Sequence, residues 1–179
     1  MADRSATMMT LVRPARRYLP SYIAALEGGW APASRAGARE QELTALADDP
    51  DAVIARLNNN VGPDLLGFTR FLWDGDFCGR IAFRYHPGQT APPPDASGHI
   101  GYGVVAEKRG RGYATAALRL LLEEISGLGL PSLLLTTDPE NIASQRVIIA
   151  NGGVRAGEEM HLNGGRPIPL LVWRIGLPR

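Results

Sequence analysis

The stretch from Gly98 to Thr115, GHIGYGVVAEKRGRGYAT, constrains this chain more than any other. An apolar run from His99 to Val105 predicts a strand. The charged turn Glu107 to Gly112 follows, and Tyr113 to Ser126 then carries Ala117, Leu118, Leu121, Leu122 and Ile125 at helical spacing. Glycines between a strand and a helix let the backbone approach a ligand, and the helix N-terminus offers unpaired N–H groups with about half a positive charge. Such a turn is a ready anion site. With Lys108, Arg109 and Arg111 around it, it suits a diphosphate with a further phosphate nearby better than a lone carboxylate. The same residues also read as a tight turn with a solvated basic face. No Gly-Lys-Ser/Thr follows the glycines, which excludes a nucleotide P-loop. Thr115 stands where a dinucleotide fingerprint needs its third glycine.

The rest of the chain reads as mixed α/β. Thr10 to Arg13 is a short β-prone run, and Arg16 to Glu27 is a helix that ends at Gly28-Gly29. Ala31 to Gly37 is a small-residue loop. Arg39 to Asn58 is helical and divided at Asp49-Pro50, because proline disfavours helix in the residue before it. Asn58 to Pro63 is a linker. Leu66 to Trp73 and Phe77 to His86 form a hairpin around Asp74-Gly75-Asp76, with Ile81, Phe83 and Tyr85 on a packed face and Arg80 and Arg84 on a solvated one. Gly88 to Gly98, with Pro92-Pro93-Pro94, is a loop. Ser132 to Thr136 is a central buried strand, Asn141 to Ala150 a helix stopped by Asn151-Gly152-Gly153, and Val154 to His161 with Pro167 to Ile175 a closing hairpin. The order predicts a sheet antiparallel early, with a β-α-β unit later.

Arg109-Gly110-Arg111-Gly112-Tyr113-Ala114 resembles the Arg/Gln-x-x-Gly-x-Gly/Ala signature of the GNAT acyl-CoA N-acyltransferases, with Val104 where that family has a strand-ending valine. Asn141-Ile-Ala-Ser144, opening a helix that ends in glycine, is similar to the family's second motif, and Leu11-Val12-Arg13 with its following helix to the family's opening. The resemblance spans nearly the whole chain. It implies a single α/β (α+β) domain over residues 1–179, the first eight flexible. The expected fold is a mixed, mostly antiparallel twisted sheet of six to seven strands flanked by about four helices. It further implies that backbone amides from Gly110 through Gly112, Tyr113, Ala114 and Thr115 hold the coenzyme A diphosphate, with Arg109 and Arg111 near phosphates. Tyr102, Val104, Val105, Asn141 and Ser144 would also contact the coenzyme. The strand at Tyr102 to Val104 would splay from Leu133 to Thr136 to admit the pantetheine arm, and a backbone N–H near Val104 would serve as oxyanion donor to the thioester carbonyl.

The chain departs from the family where a tyrosine commonly protonates the leaving thiolate. That position is Ile148, which cannot donate a proton. Ser144 is the candidate thiolate donor and Tyr102 a second. His99 is the candidate base, with His86 and Glu107 behind it, although the histidines read more readily as hydrogen-bonded strand ends and Glu107 as a solvated turn residue. Asn141 and Ser144 also read as the capping turn of their helix. Trp30 either lines an acceptor pocket or caps a core edge. Cys78 reads as a buried small apolar residue, and Asp48-Asp49-x-Asp51 as a helix start.

Nineteen basic and eighteen acidic residues leave a net charge of +1, which supports neither nucleic acid nor an anionic membrane as partner. The single cysteine excludes disulfides and cysteine-based zinc, and the three histidines are too far apart for a metal site. No stretch approaches the ~20 apolar residues that span a bilayer. Met1 to Thr10 lacks the apolar core of a secretory signal, so the expected location is the cytoplasm. The implied activity is transfer of an acetyl group from acetyl-CoA to a primary amine by direct attack in a ternary complex, with no metal. The alternative is an acyl-CoA-binding module of the same fold without turnover. Leu170 to Trp173 are apolar enough to pair across a homodimer.

Overall fold

The computed structural model describes residues 8–59, 65–93, 96, 98–163 and 166–177. Its elements run β1 (Thr10–Val12), α1 (Leu19–Glu27), α2 (Ala38–Asp48), α3 (Pro50–Asn58), β2 (Leu66–Trp73), β3 (Phe77–Tyr85), β4 (Ile100–Val104), α4 (Tyr113–Ile125), β5 (Ser132–Thr137), α5 (Ile142–Ala150), β6 (Val154–Asn163) and β7 (Arg166–Gly176). The mixed α/β class and the seven antiparallel strands match expectation. The α-helices number five among the described residues rather than about four. Asp49 is the reason. Its carboxylate accepts from the N–H groups of Asp51 and Ala52, both at 3.0 Å, and Pro50 takes the first helical position of α3. The expected flexibility of the first eight residues falls outside the described residues, except at the exposed Met8. Most of the predicted linker, residues 60–63, lies outside them as well.

The strands form two sheets, β1-β2-β3-β4 and β5-β7-β6, with every pairing antiparallel. Alternation divides the first sheet between two apolar clusters. Leu72, Ile81, Phe83 and Ile100 face α4, α5 and the second sheet, where Leu118, Leu121, Leu133, Leu135 and Ile148 complete the main core. Phe71 and Phe77 face the other way, against Tyr22 and Leu26 of α1, Leu46 of α2 and Val53 and Leu57 of α3. Arg80, Ala82 and Arg84 share that second face, because Arg80 pairs with Phe71 and Gly103, and Ala82 with Gly101.

The strands of the β-α-β unit, β4 and β5, do not pair along their length. They meet only at the start of β4, where His99 N–H donates to Leu134 O at 2.8 Å. Gly98 permits this junction: its φ is +148°, and a Cβ there would lie 3.0 Å from Leu134 O. Beyond it the strands part.

Leu170, Leu171 and Trp173 are buried inside the chain's own core, with the Trp173 indole donating to Thr137 Oγ1 at 2.9 Å. These three side chains are thus used within the chain itself, while Val172 between them is only partly buried. No described helix is long and apolar enough to cross a membrane.

Candidate active site

The turn before α4 is built from its glycines. Gly110 and Gly112 adopt φ of +73° and +77°, and a Cβ at either would meet nothing within 4 Å, so what the turn demands is a left-handed backbone rather than space. Gly112 is the N-cap of α4 and supplies no side chain to it. The first helical bond runs from Ala116 N–H to Gly112 O, which leaves the N–H groups of Tyr113, Ala114 and Thr115 without intrahelical acceptors. Arg109 and Arg111 are exposed beside them, and Arg109 Nε donates to Val104 O at 3.1 Å.

Lys108 is not part of this cationic set. Its ammonium lies 2.7 and 2.9 Å from the two carboxylate oxygens of Asp74, in the β2–β3 turn, and the Tyr113 hydroxyl donates to the same carboxylate at 2.7 Å. Burial alone would raise the Asp74 pKa, but hydrogen bonds from Lys108, Tyr113 and Cys78 outweigh it and hold the group at about 2. Sequence reasoning missed Asp74, which was read only as a turn residue. Cys78 is buried and its pKa is pushed up to about 12, chiefly by burial, which makes it an inert thiol.

The open edge of β4 is the second element of the site. Val105 N–H donates to Cys78 O, so alternation turns the N–H groups of Val104 and Tyr102 away from β3 and toward the opening beside β5. Tyr102 reaches across this opening, and its hydroxyl donates to the Ser144 carbonyl at 3.3 Å on the first turn of α5. Burial raises its pKa, which keeps the phenol protonated. Asn141 caps α5, its side-chain oxygen accepting from Ser144 N–H at 3.0 Å. Asn151, at the far end of α5, donates to Thr115 O at 3.2 Å and ties that helix to the start of α4. The structure thus brings together Tyr102, Val104, the Arg109–Thr115 turn and the Asn141–Ser144 turn.

His99 is placed differently. It is fully buried, and its Nδ1 accepts from Leu134 N–H at 3.0 Å, so that lone pair is engaged. Its pKa is lowered, chiefly by burial and further by the Arg84 charge. Val104 is five residues along the strand, roughly 17 Å away. In this setting His99 joins β4 to β5 and is unsuited to take a proton from an amine near Val104. Ile148 is buried in the main core and leaves the opening without the tyrosine common in the family.

The opposite face of β4 carries no side chain at Gly101 or Gly103. Trp30, from the loop between α1 and α2, lies over Gly103, its indole 3.8 Å from where a Cβ would be. It also packs against Phe77 and Tyr22 at centroid distances of 5.1 and 6.1 Å.

A family model described as an acetyltransferase (GNAT) domain matches residues 12–154. The chain belongs to the GNAT acetyltransferase family. No curated protein sequence matches it. Its GNAT fold is similar to that of RimL, a ribosomal alpha-N-protein acetyltransferase solved with coenzyme A (14% identity, 96% of this chain and 95% of that one, TM-score 0.69). It is also similar to MccE, a microcin C7 self-immunity acetyltransferase solved with acetyl-CoA and AMP (14%, 94% and 92%, TM-score 0.67). A third likeness is to yncA of Salmonella typhimurium, solved with acetyl-CoA (15%, 95% and 94%, TM-score 0.56). At these identities the likeness is one of fold. Among the described residues no group of three or more His, Cys, Asp or Glu side chains could hold a metal ion.

Proposed function

We propose that the chain is one N-acetyltransferase domain that moves an acetyl group from acetyl-CoA to a primary amine by direct attack in a ternary complex, in the cytoplasm. The observation that carries this reading is the meeting of two incomplete backbone elements. The uncapped N-terminus of α4 presents three N–H donors, and among the described residues the edge of β4 that leads to it has no partner strand along its length. A diphosphate suits the first and an extended amide-bearing arm the second. The acetyl-CoA complexes of MccE and yncA support the same ligand here.

The residues then have separable tasks. Tyr113, Ala114 and Thr115 hold the diphosphate through their N–H groups, with Arg109 and Arg111 on its charge. The Val104 N–H faces the thioester carbonyl and stabilises negative charge on its oxygen. The amine attacks that carbonyl carbon, the C–S bond breaks, and the thiolate takes a proton from the Tyr102 hydroxyl, which is replenished from solvent. Tyr102, rather than the Ser144 side chain, is the donor favoured by geometry, because its hydroxyl lies across the opening itself. Water carries off the proton from the attacking ammonium.

The test is a thermal-shift titration with acetyl-CoA and dephospho-CoA, followed by thiol release over an amine panel. Ligand at about 100 times its Kd adds about 2.7 kcal/mol, roughly 5–10 °C here. A shift with turnover supports the enzyme, and a shift without turnover on any amine supports the binding module. No shift at millimolar acetyl-CoA overturns both.

A further inference from the structure

The face of the sheet from which an amine would reach Val104 is cationic. Residues of the main core fill the side of β4 toward α4 and α5. The opposite side has no side chain of its own at Gly101 or Gly103; the Arg84 guanidinium lies over the first and the Trp30 indole over the second, with Arg80 beside them on β3. Neither arginine is solvated as alternation alone suggested; both are half-buried. The Arg80 guanidinium donates to Pro32 O of the Trp30 loop. It also feels Glu42, whose carboxylate is already shared by the Tyr22 hydroxyl and Arg56, each at 2.7 Å. Arg84 Nε donates to Gly98 O at 3.0 Å, and its Nη2 lies 3.9 Å from where a Gly101 Cβ would be. Among the described residues no carboxylate lies within ion-pair distance of Arg84.

Among the described residues one carboxylate, Glu42, thus stands against three guanidiniums, and Arg84 points over the bare backbone of Gly101. Burial lowers the Arg84 pKa, and the Arg80 charge lowers it further. A desolvated cation repelled by its neighbour is stabilised by an incoming anion. Arginine's planar fork suits carboxylate or phosphate oxygens, which it can bond in pairs. With no side chain at Gly101, an anion held by Arg84 would lie against the β4 backbone, on the face that also carries the Trp30 indole.

We infer that the acceptor is a small amine that carries its own anionic group, a carboxylate or a phosphate, and that Arg84, backed by Arg80, binds that group on the Gly101–Gly103 face of β4. This rests on the acetyltransferase reading and goes on to name its substrate class. A polyamine would bring positive charge onto a face where, among the described residues, Arg84 has no carboxylate partner and Arg80 shares Glu42 with Arg56. It is the acceptor this face excludes.

Matched amine pairs test the inference: ω-amino acids of graded chain length beside their amides, and phosphoethanolamine beside ethanolamine, with spermidine as the cationic control. Acetylation is followed by thiol release, with wild type, Arg84→Gln and Arg84→Lys. Expected is a preference of roughly ten- to hundredfold in kcat/KM for the anionic member of a pair. Arg84→Gln abolishes it and acts on KM, Arg84→Lys keeps most of it, and both leave acetyl-CoA affinity unchanged. The carboxylate and phosphate pairs tell which anion fits. Equal or better use of neutral amines or spermidine overturns the inference, as does an Arg84→Gln variant that loses the neutral amines to the same degree.

If no amine turns over, the same compounds are titrated into protein saturated with coenzyme A. Stabilisation by the anionic members that is lost in Arg84→Gln supports the inference, and its absence from wild type overturns it. Failure of acetyl-CoA itself to stabilise the protein is a separate result that removes the underlying reading. The same titration into protein alone then still decides whether this face takes an anion.

Discussion

Lys108 reaches back to Asp74, with its Nζ 2.7 Å from the carboxylate, and this pair locks the turn before α4 to the β2–β3 hairpin. The Asp74 side chain is 8% exposed and that of Lys108 23%, and Tyr113 at the first turn of α4 shares the carboxylate. Removing the carboxylate leaves an ammonium and a phenol without their acceptor in a confined place. Asp74→Ala is expected to cost about 2–4 kcal/mol, roughly 5–15 °C in thermal midpoint. It should also weaken acetyl-CoA binding several-fold without contact to the ligand, because the backbone of Tyr113 loses its support. Paired thermal melts and coenzyme titrations check both parts. An unchanged midpoint would show that the turn stands without the pair.

The same carboxylate gives a pH dependence of known sign. Its folded pKa, about 2, lies below the ordinary carboxylate value of about 3.9. The folded state therefore binds fewer protons in this range, and stability from Asp74 is fully present above about pH 4 and falls as pH drops toward 2. Lys108 and Tyr113 run the other way: each pKa is raised, with the hydrogen bond to Asp74 the first cause. Their contribution holds below their ordinary values and is lost as pH rises through the raised ones. Urea midpoints of wild type and Asp74→Asn should differ most between about pH 5 and 9 and converge on the acid side. A gap that persists at pH 2 would contradict the assignment.

Most of the fold was legible because it is written in local signals. Asp49-Pro50 divides two helices, Asp74-Gly75-Asp76 closes a hairpin, and Gly110 and Gly112 mark a strand-to-helix turn, each by chemistry within a few residues. The parts that were not legible depend on distant partners. Lys108 reads from sequence as one of the cations around the turn, but Asp74, 34 residues away in sequence, holds its ammonium. Alternation placed Arg80 and Arg84 on one face correctly, but whether that face meets water depends on where the 28–37 loop lies. The apolar run at Leu170 to Trp173 does not say in sequence whether a second copy or the chain itself covers it, and in the fold the chain's own core buries Leu170, Leu171 and Trp173.

His99 offers a test that separates a structural histidine from a catalytic one. Its substitution by alanine removes the acceptor of Leu134 N–H and opens space at the β4–β5 junction, at an expected cost of about 2–4 kcal/mol. If His99 were the base, the acid limb of the kcat/KM profile would vanish with it. The expected outcome is a less stable protein whose profile keeps its shape at a temperature where it stays folded. Loss of the limb would restore His99 to the chemistry.

Arg111 is exposed and has no role within the fold among its described contacts. Arg111→Ala should therefore leave the thermal midpoint of the free protein within a degree or two, equivalent to about 0.5 kcal/mol or less. Acetyl-CoA should bind it more weakly, by roughly three- to tenfold for a lost exposed charge contact. Comparison with dephospho-CoA locates the contact. If the variant and wild type bind dephospho-CoA equally, Arg111 reads the phosphate that this analogue lacks; if the variant is weaker on both ligands, it reads the diphosphate. Equal affinity for acetyl-CoA in both proteins would remove Arg111 from the site.

Tyr102 carries the sharpest consequence for mechanism, because it stands in for a tyrosine that the second-motif helix lacks. With Ile148 in the core, the Tyr102 hydroxyl, which bonds the Ser144 carbonyl, is the candidate donor. Tyr102→Phe keeps the ring packed against the core and removes only this hydroxyl, so stability should change by about 1 kcal/mol or less. If the hydroxyl protonates the leaving thiolate, kcat should fall by roughly 10²-fold while acetyl-CoA affinity holds. The loss should shrink with an acyl donor whose leaving thiol is more acidic, since such a group departs without help. Ser144→Ala, which leaves the carbonyl in place, should change kcat little. The reverse pattern, a silent Tyr102→Phe and a crippled Ser144→Ala, would move the donor to the serine and make Tyr102 a strut across the opening.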